Sequence, residues 1–204
     1  GFVSSTATTV SMAERATEDP ELYRMCAFAT VVASTVMFPR ALVEVAVVNP
    51  ALLPHVAAPL GAMTVAGALV AGVVYRRSTG ESEVETDIEN PFRLRPALFF
   101  GGVFAVVLLV SESANSWLGA SGVYATAFVS GLADVDAITL TLSTLAADGE
   151  ISPGVATTGI VVGAVANTLV KVGLAWLLGT RRLARLVTAV LGIVSVVGVA
   201  FVAT

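Results

Sequence analysis

The stretch Ser130-Gly131-Leu132-Ala133-Asp134-Val135-Asp136-Ala137 decides how this chain is read. It lies in the middle of a long apolar segment, residues 119–148, and nothing nearby in sequence neutralises its two aspartates. A carboxylate at bilayer depth is unfavourable unless it faces a partner, a water-filled cavity or an ion. A membrane segment that keeps two of them is expected to use them, which makes transport the leading expectation.

The surrounding chain has membrane character. A membrane-spanning helix needs about 20 apolar residues, and residues 22–48, 55–75, 96–112, 153–179 and 186–203 read as such spans. Over 204 residues the chain is 56% hydrophobic and 13% charged, with a mean hydropathy of +0.88. A soluble domain carries about 25% charged residues. The expected fold class is an all-α integral membrane protein, a multi-pass helical bundle of about five to seven membrane segments. A single cysteine, Cys26, excludes an intrachain disulfide and a cysteine metal site, and a single histidine, His55, excludes a histidine cluster. The chain starts at Gly1 rather than Met, so it is expected to be a piece of a longer protein.

Two segments differ from plain spans. Residues 1–17 are short, amphipathic and flecked with polar groups, and residues 119–148 are broken near the middle by Gly131 and the aspartates. The stretch from Arg76 to Pro91 carries five acids and forms a natural boundary. Displacing the chain by 130 or 131 residues lays Gly1 on Gly131, Arg40 on Lys171, Leu60-Gly61 on Leu191-Gly192 and Gly67 on Gly198. The expected organisation is repeat A at 1–76, truncated at its N-terminus, an acidic hydrophilic linker at 77–92, and repeat B at 93–204.

Cytoplasmic loops carry the excess of Lys and Arg. Arg15, Arg24, Arg76, Arg77, Arg93, Arg95, Arg181, Arg182 and Arg185 all lie near span ends. If 119–148 crossed the membrane once, the arginines at 181–185 would lie opposite the others. If it dips in and returns, all of them share one side. Its two arms, each about 18 Å long at 1.5 Å per residue, are long enough to reach near the midplane. The re-entrant alternative makes the two repeats inverted, with a site where broken segments meet at the midplane. The single-crossing alternative makes 119–148 one long kinked helix and the repeats parallel.

Asp134 and Asp136 are the candidate ion-pathway and metal-ligating residues. On a regular helix they would point about 200° apart, so only an irregular backbone aims both at one ion. They either bind or relay a cation, or pair with Arg40 and Lys171 and lock the fold. Asp136 is alternatively the N-cap of a helix over 137–147. Arg40 and Lys171 are the cations far from span ends, in equivalent places of the two halves. Glu44, four residues beyond Arg40, offers it a local salt bridge. Pro39 is expected to kink its helix and leave the Thr35 carbonyl without its helical donor. Asn167, one turn before Lys171, is a candidate for a bond across helices. Ser4, Ser5 and Thr6 fall where the other half has its aspartates and are candidate hydroxyl ligands.

These motifs carry a resemblance. SGLADVDAITLTLS (130–143) and NTLVK (167–171), with GFVSSTATTVSMAERA (1–16) and MFPRALVEVAVVNPALLP (37–54) upstream, resemble the domain of unknown function that follows an MgtC/SapB-like membrane domain in prokaryotic proteins. The resemblance implies a multi-pass protein of the cell membrane, with an MgtC/SapB-like domain upstream in a longer chain and a link to magnesium or membrane-energy physiology. It implies no established substrate.

Three classes follow. The first is a transporter or channel domain for a cation, proton or Mg²⁺, with an acidic midplane site and no cofactor beyond that bound cation. Mg²⁺ keeps several waters and uses one or two carboxylates. The second is a regulatory or scaffold module that binds another membrane protein or a second copy of itself, with Gly61, Gly67, Gly72, Gly192 and Gly198 as packing faces. The third, an intramembrane enzyme, is not expected, because two aspartates in one segment make a poor acid/base pair and no nucleophile–His arrangement exists. The bilayer is the expected environment, and no nucleic acid is expected as a partner.

Overall fold

A computed structural model describes residues 5–78 and 119–203, and its regular structure there is entirely helical. Helix α1 spans Ser5–Glu18. A 3₁₀ turn at Pro20–Leu22, whose Glu21 N–H donates to the Asp19 carboxylate, leads into α2, Tyr23–Val48. Then follow α3 (Leu53–Ser78), α4 (Ala120–Ala133), α5 (Val135–Ala147), α6 (Pro153–Leu178) and α7 (Arg181–Val202). Residues 20–48, 53–77, 153–178 and 181–202 are long and apolar enough to cross a membrane. A helix of 26 residues rises about 39 Å against a hydrocarbon core of about 30 Å. Val43, Val47, Leu69, Leu177 and Val196 stay more than half exposed on these helices. Apolar outward faces of this kind require lipid. The chain is a helical membrane protein.

The expected spans fall on these helices, with differences at their ends. Helix α7 starts at Arg181 rather than 186, because the Leu183 N–H donates to the Thr180 hydroxyl at 3.3 Å and so caps the helix there. Arg181, Arg182 and Arg185 therefore belong to the helix, which hydropathy alone does not reveal. Helix α3 runs to Ser78, so the linker expected from residue 77 begins as helix. The rest of that linker and the expected span 96–112 lie outside the described residues.

The segment 119–148 is two helices separated by one residue, Asp134, whose backbone is extended (φ −155°, ψ 128°). Their course is read against α6. A Cβ on Gly159 would meet Val123, Ala127 and Leu142, and one on Gly163 would meet Ala127 and Ile138. The Asn167 amide donates to the Gly131 carbonyl at 3.1 Å. Ascending α6 from 159 to 167 thus ascends α4 from 123 to 131 but descends α5 from 142 to 138. Helices α4 and α5 run in opposite directions, and the segment is a helical hairpin whose tip lies beside the middle of α6. At the hairpin base the turn from α5 into α6 passes through Gly149, at φ +78°, a conformation that glycine adopts without strain. The Glu150 N–H then donates to the Leu145 carbonyl at 2.9 Å and closes the end of α5.

Contacts also fix the two ends of the bundle. The Thr17 hydroxyl donates to the Leu178 carbonyl at 3.0 Å, the Arg24 guanidinium donates to the Arg77 carbonyl at 3.0 Å, and Arg182 lies over the Tyr23 ring. The end of α1, the start of α2, the ends of α3 and α6 and the start of α7 therefore meet. This end carries Arg15, Arg24, Arg76, Arg77, Arg181, Arg182 and Arg185. At the opposite end the Asn49 amide donates to the Ser143 carbonyl, and the hairpin base brings Asp148 and Glu150. Helices α2 and α7 run away from the arginine end, and α3 and α6 run toward it. Helix α1 lies on α2 and α6, and α5 also lies on α2 and α6.

Glycines set the closest approaches. Gly67 faces the Thr35 side chain and Gly198 faces Met63, so these two serve contacts between the chain's own helices. Gly61, Gly72 and Gly192 have nothing within 4 Å of where a Cβ would stand, so those three open space rather than close it. The tightest approach is one the expected list lacks. A Cβ on Gly131 would fall on the Gly163 carbonyl oxygen and 2.6 Å from its Cα. Backbone cannot move aside as a side-chain tip can. Gly131→Ala is expected to lose about 1–3 kcal/mol by overpacking, read as a lower unfolding temperature in detergent, while Gly61→Ala stays near wild type. Equal stability of both variants would contradict the close hairpin packing.

The positive-inside rule predicts that the arginine end faces the cytoplasm, and the hairpin then predicts both ends of 119–148 on the other face. With the single cysteine Cys26 buried as a silent background, cysteines at the exposed positions Ser121 and Asp148 are expected to react with an impermeant maleimide from one face. A cysteine at Arg181 reacts from the opposite face. Labelling of Ser121 and Asp148 from opposite faces contradicts the hairpin.

Candidate functional site

The hairpin tip, the middle of α2 and the middle of α6 bring five ionisable groups together. Asp134 fills the gap between α4 and α5. Its carboxylate accepts from the Asp136 N–H at 2.7 Å and from the Ala137 N–H at 3.3 Å. Asp134 is therefore the N-cap of α5, a role the sequence pattern offered to Asp136, and the helix starts two residues earlier than expected. The reason is local. Asp134 is the residue with extended backbone, and only a residue outside the helix can turn its side chain back on the first N–H groups.

Asp136 is thereby left for another partner. In the first turn of α5 its carboxylate takes the Arg40 guanidinium of α2 at 2.5 Å. Arg40 also lies 3.8 Å from Glu44, one turn on. The contact expected within α2 is thus the looser of the two, and the pair across 96 residues is the tighter. The Arg40 Nε and one Glu44 carboxylate oxygen are buried without a hydrogen-bond partner. Pro39 sits inside α2 directly before Arg40, and the helix continues through it. Proline removes the N–H that would bond to the Thr35 carbonyl.

Lys171 is fully buried in α6. Among the described residues its ammonium meets the Met37 sulfur of α2, at 2.9 Å. A thioether is a weak acceptor, and no described carboxylate forms an ion pair with this lysine. Met37 stands one turn before Arg40 on α2, which brings the ammonium beside the Arg40–Asp136 pair. Asn167, one turn earlier, bonds across helices as expected and holds the Gly131 carbonyl at the end of α4. Three carboxylates (Glu44, Asp134, Asp136) thus stand near two cations, leaving one negative charge in excess when all are ionised.

Other expected ligands do not gather here. Ser5 and Thr6 begin α1, half-buried, and among the described residues neither bonds to the ionised cluster. Ser4 lies outside the described residues. Among the described residues no three His, Cys, Asp or Glu side chains are arranged to hold a metal ion. Asp134 turns one oxygen to its own helix and Asp136 turns one to Arg40. The sequence pattern had undervalued Glu44 and had missed Met37. Met37, Arg40 and Glu44 recur at spacings of three and four, which places them on one face of α2, and that spacing was the available signal.

A double-mutant cycle of Arg40→Gln and Asp136→Asn is expected to give a coupling energy of about 1–3 kcal/mol in folding stability, as for contacting residues in one ionic network. Coupling near zero would show that the two side chains do not meet.

Comparisons with known proteins leave the activity open. An uncharacterized protein of Aquifex aeolicus (strain VF5) is 38% identical over 96 residues, which cover 47% of this chain and 42% of that protein. The matched segment is therefore less than half the length of that relative. No solved structure matches the chain. Residues 1–179 match the family described as Domain of unknown function (DUF4010), and the chain belongs to that family.

Proposed function

We propose that this chain is a proton-linked transport module of the cell membrane, working through Asp136, Arg40, Glu44 and Lys171. The observation that carries the reading is the Arg40–Asp136 pair at a helix break, beside a buried Glu44 oxygen that has no partner. A fixed clamp would need one cation and one carboxylate. This cluster keeps an extra carboxylate and an extra, poorly solvated amine at membrane depth, where each is unfavourable unless used. One proton on Glu44 balances the excess negative charge and needs only one oxygen. Mg²⁺ carries two positive charges, whereas the cluster has one negative charge in excess, so a single proton matches it more closely.

The arrangement of helices supports alternating access. The succession α1–α2–α3 runs opposite to α5–α6–α7, and α1 lies on α6 as α5 lies on α2. Under the displacement of 131 residues Arg40 corresponds to Lys171. These facts favour inverted repeats with the site at their interface, the architecture in which one repeat rocks against the other. An upstream MgtC/SapB-like domain and a second copy of the chain are the partners that fit this reading. The scaffold reading draws on one observation, that Arg40–Asp136 also ties α2 to α5.

The test is proton flux into proteoliposomes carrying a pH-sensitive dye, with Mg²⁺, Na⁺ and K⁺ run alongside. Wild type is expected to pass protons under an imposed potential. Glu44→Gln, near in shape, is expected to lose at least tenfold of that flux while staying folded. Lys171→Met replaces a buried amine by an apolar chain, so it is expected to fold at least as stably and also to lose flux. No proton flux from folded wild type, or undiminished flux in both variants, overturns the proposal and favours the scaffold.

A further inference from the structure

A groove of about 470 Å³ opens between α2 and α3, apart from the ionised cluster, lined by Phe28, Val32 and Val36 on one side and Ala68, Gly72 and Tyr75 on the other. That volume falls in the usual range for a small-molecule site, about 300–1,000 Å³. Its walls offer almost no hydrogen bonds. The Thr35 hydroxyl at its floor donates to the Val31 carbonyl within its own helix. Gly72 keeps it open, since nothing lies within 4 Å of where a Cβ would stand. From Val36 to Phe28 the groove follows α2 for about 12 Å at 1.5 Å per residue, leading from the bundle's middle toward the arginine end.

The mouth has the opposite chemistry. The Phe28 and Tyr75 rings meet there with centroids 5.2 Å apart. One turn before Phe28 stands Arg24, and directly after Tyr75 stand Arg76 and Arg77, all exposed. The Arg24 guanidinium bonds to the Arg77 carbonyl, which ties the two sides of the mouth together. Arg24 and Arg77 form no ion pair among the described residues. Among the described residues the acids of this end, Glu14, Glu18, Asp19 and Glu21, lie on α1 and in the turn after it, while the acids at 81–89 lie outside the described residues.

We propose that this groove is a binding site for one acidic phospholipid, with an acyl chain between α2 and α3 and the phosphate on Arg24, Arg76 and Arg77. The apolar trough and the basic rim match the two ends of such a lipid, and no other part of the inference depends on the transport reading. Basic pockets between membrane helices on the cytoplasmic side favour acidic headgroups, and an arginine near that surface strengthens binding about fivefold. Aromatic rings at the rim suit the level of the headgroups.

The test uses the full protein purified in mild detergent, with phosphatidylglycerol or phosphatidylcholine of identical acyl chains added. Phosphatidylglycerol is expected to raise the unfolding temperature of wild type, phosphatidylcholine to leave it unchanged, and native mass spectrometry to find one acidic lipid per chain. Gly72→Leu fills the trough, and Arg24→Gln with Arg77→Gln weakens the rim. Each is expected to cut phosphatidylglycerol affinity, the arginine pair by roughly tenfold or more. Equal response to both lipids, which marks unspecific coating, overturns the proposal. So does affinity unchanged in both variants, or a polypeptide segment of the chain cross-linking into the groove in place of lipid.

Discussion

A backbone broken at bilayer depth must satisfy its own polar groups, because lipid offers none. That constraint shapes this protein more than any other. At the break between α4 and α5 the Asp134 N–H returns to the Ser130 carbonyl, and the Asp134 carboxylate holds the first N–H groups of α5. The Gly131 carbonyl is held from the next helix by Asn167. Such bonding needs α6 to pass close by, and the facing glycines 131 and 163 permit it. The hairpin, its contact with α6 and the position of Asp136 all follow from this one repair of the chain.

Charge completes the pattern. With Asp134 committed to the backbone, Asp136 is directed at α2 and meets Arg40. The ion pair joins the hairpin to the first half of the chain across 96 residues. Its strength at this depth is not automatic, because removing charges from water opposes the attraction between them. Hydrogen bonding within the cluster is incomplete, at Glu44 and at the Arg40 Nε, and Lys171 rests against sulfur. A network built only for rigidity would gain from full satisfaction. On the proposed reading, that incompleteness leaves the cluster room to exchange a proton.

Much of this was legible in the residues. Run length and hydropathy located α2, α3, α6 and α7, and the paired aspartates beside Gly131 located the break. Helix starts were less legible, since Thr180 rather than hydropathy fixes where α7 begins. The roles of the two aspartates were exchanged, because spacing cannot say which residue has extended backbone. The choice of Asp136 over Glu44 by Arg40 depends on how α2 and α5 face each other, which no local pattern encodes. The glycine contacts were partly readable. Gly159-Ile-Val-Val-Gly163 is a small-xxx-small motif of the kind that lets membrane helices approach closely, and both of its glycines lie against the hairpin.

Transport by this cluster requires that a carboxylate in it change protonation as the protein works. Infrared difference spectroscopy of the protein in lipid, recorded across a pH step, reads this directly through the carboxylic C=O stretch. The account predicts a reversible band in wild type that Glu44→Gln removes and that Asp136→Asn shifts. A spectrum with no carboxyl change, or a band indifferent to Glu44, would contradict it and leave the buried charges as a clamp.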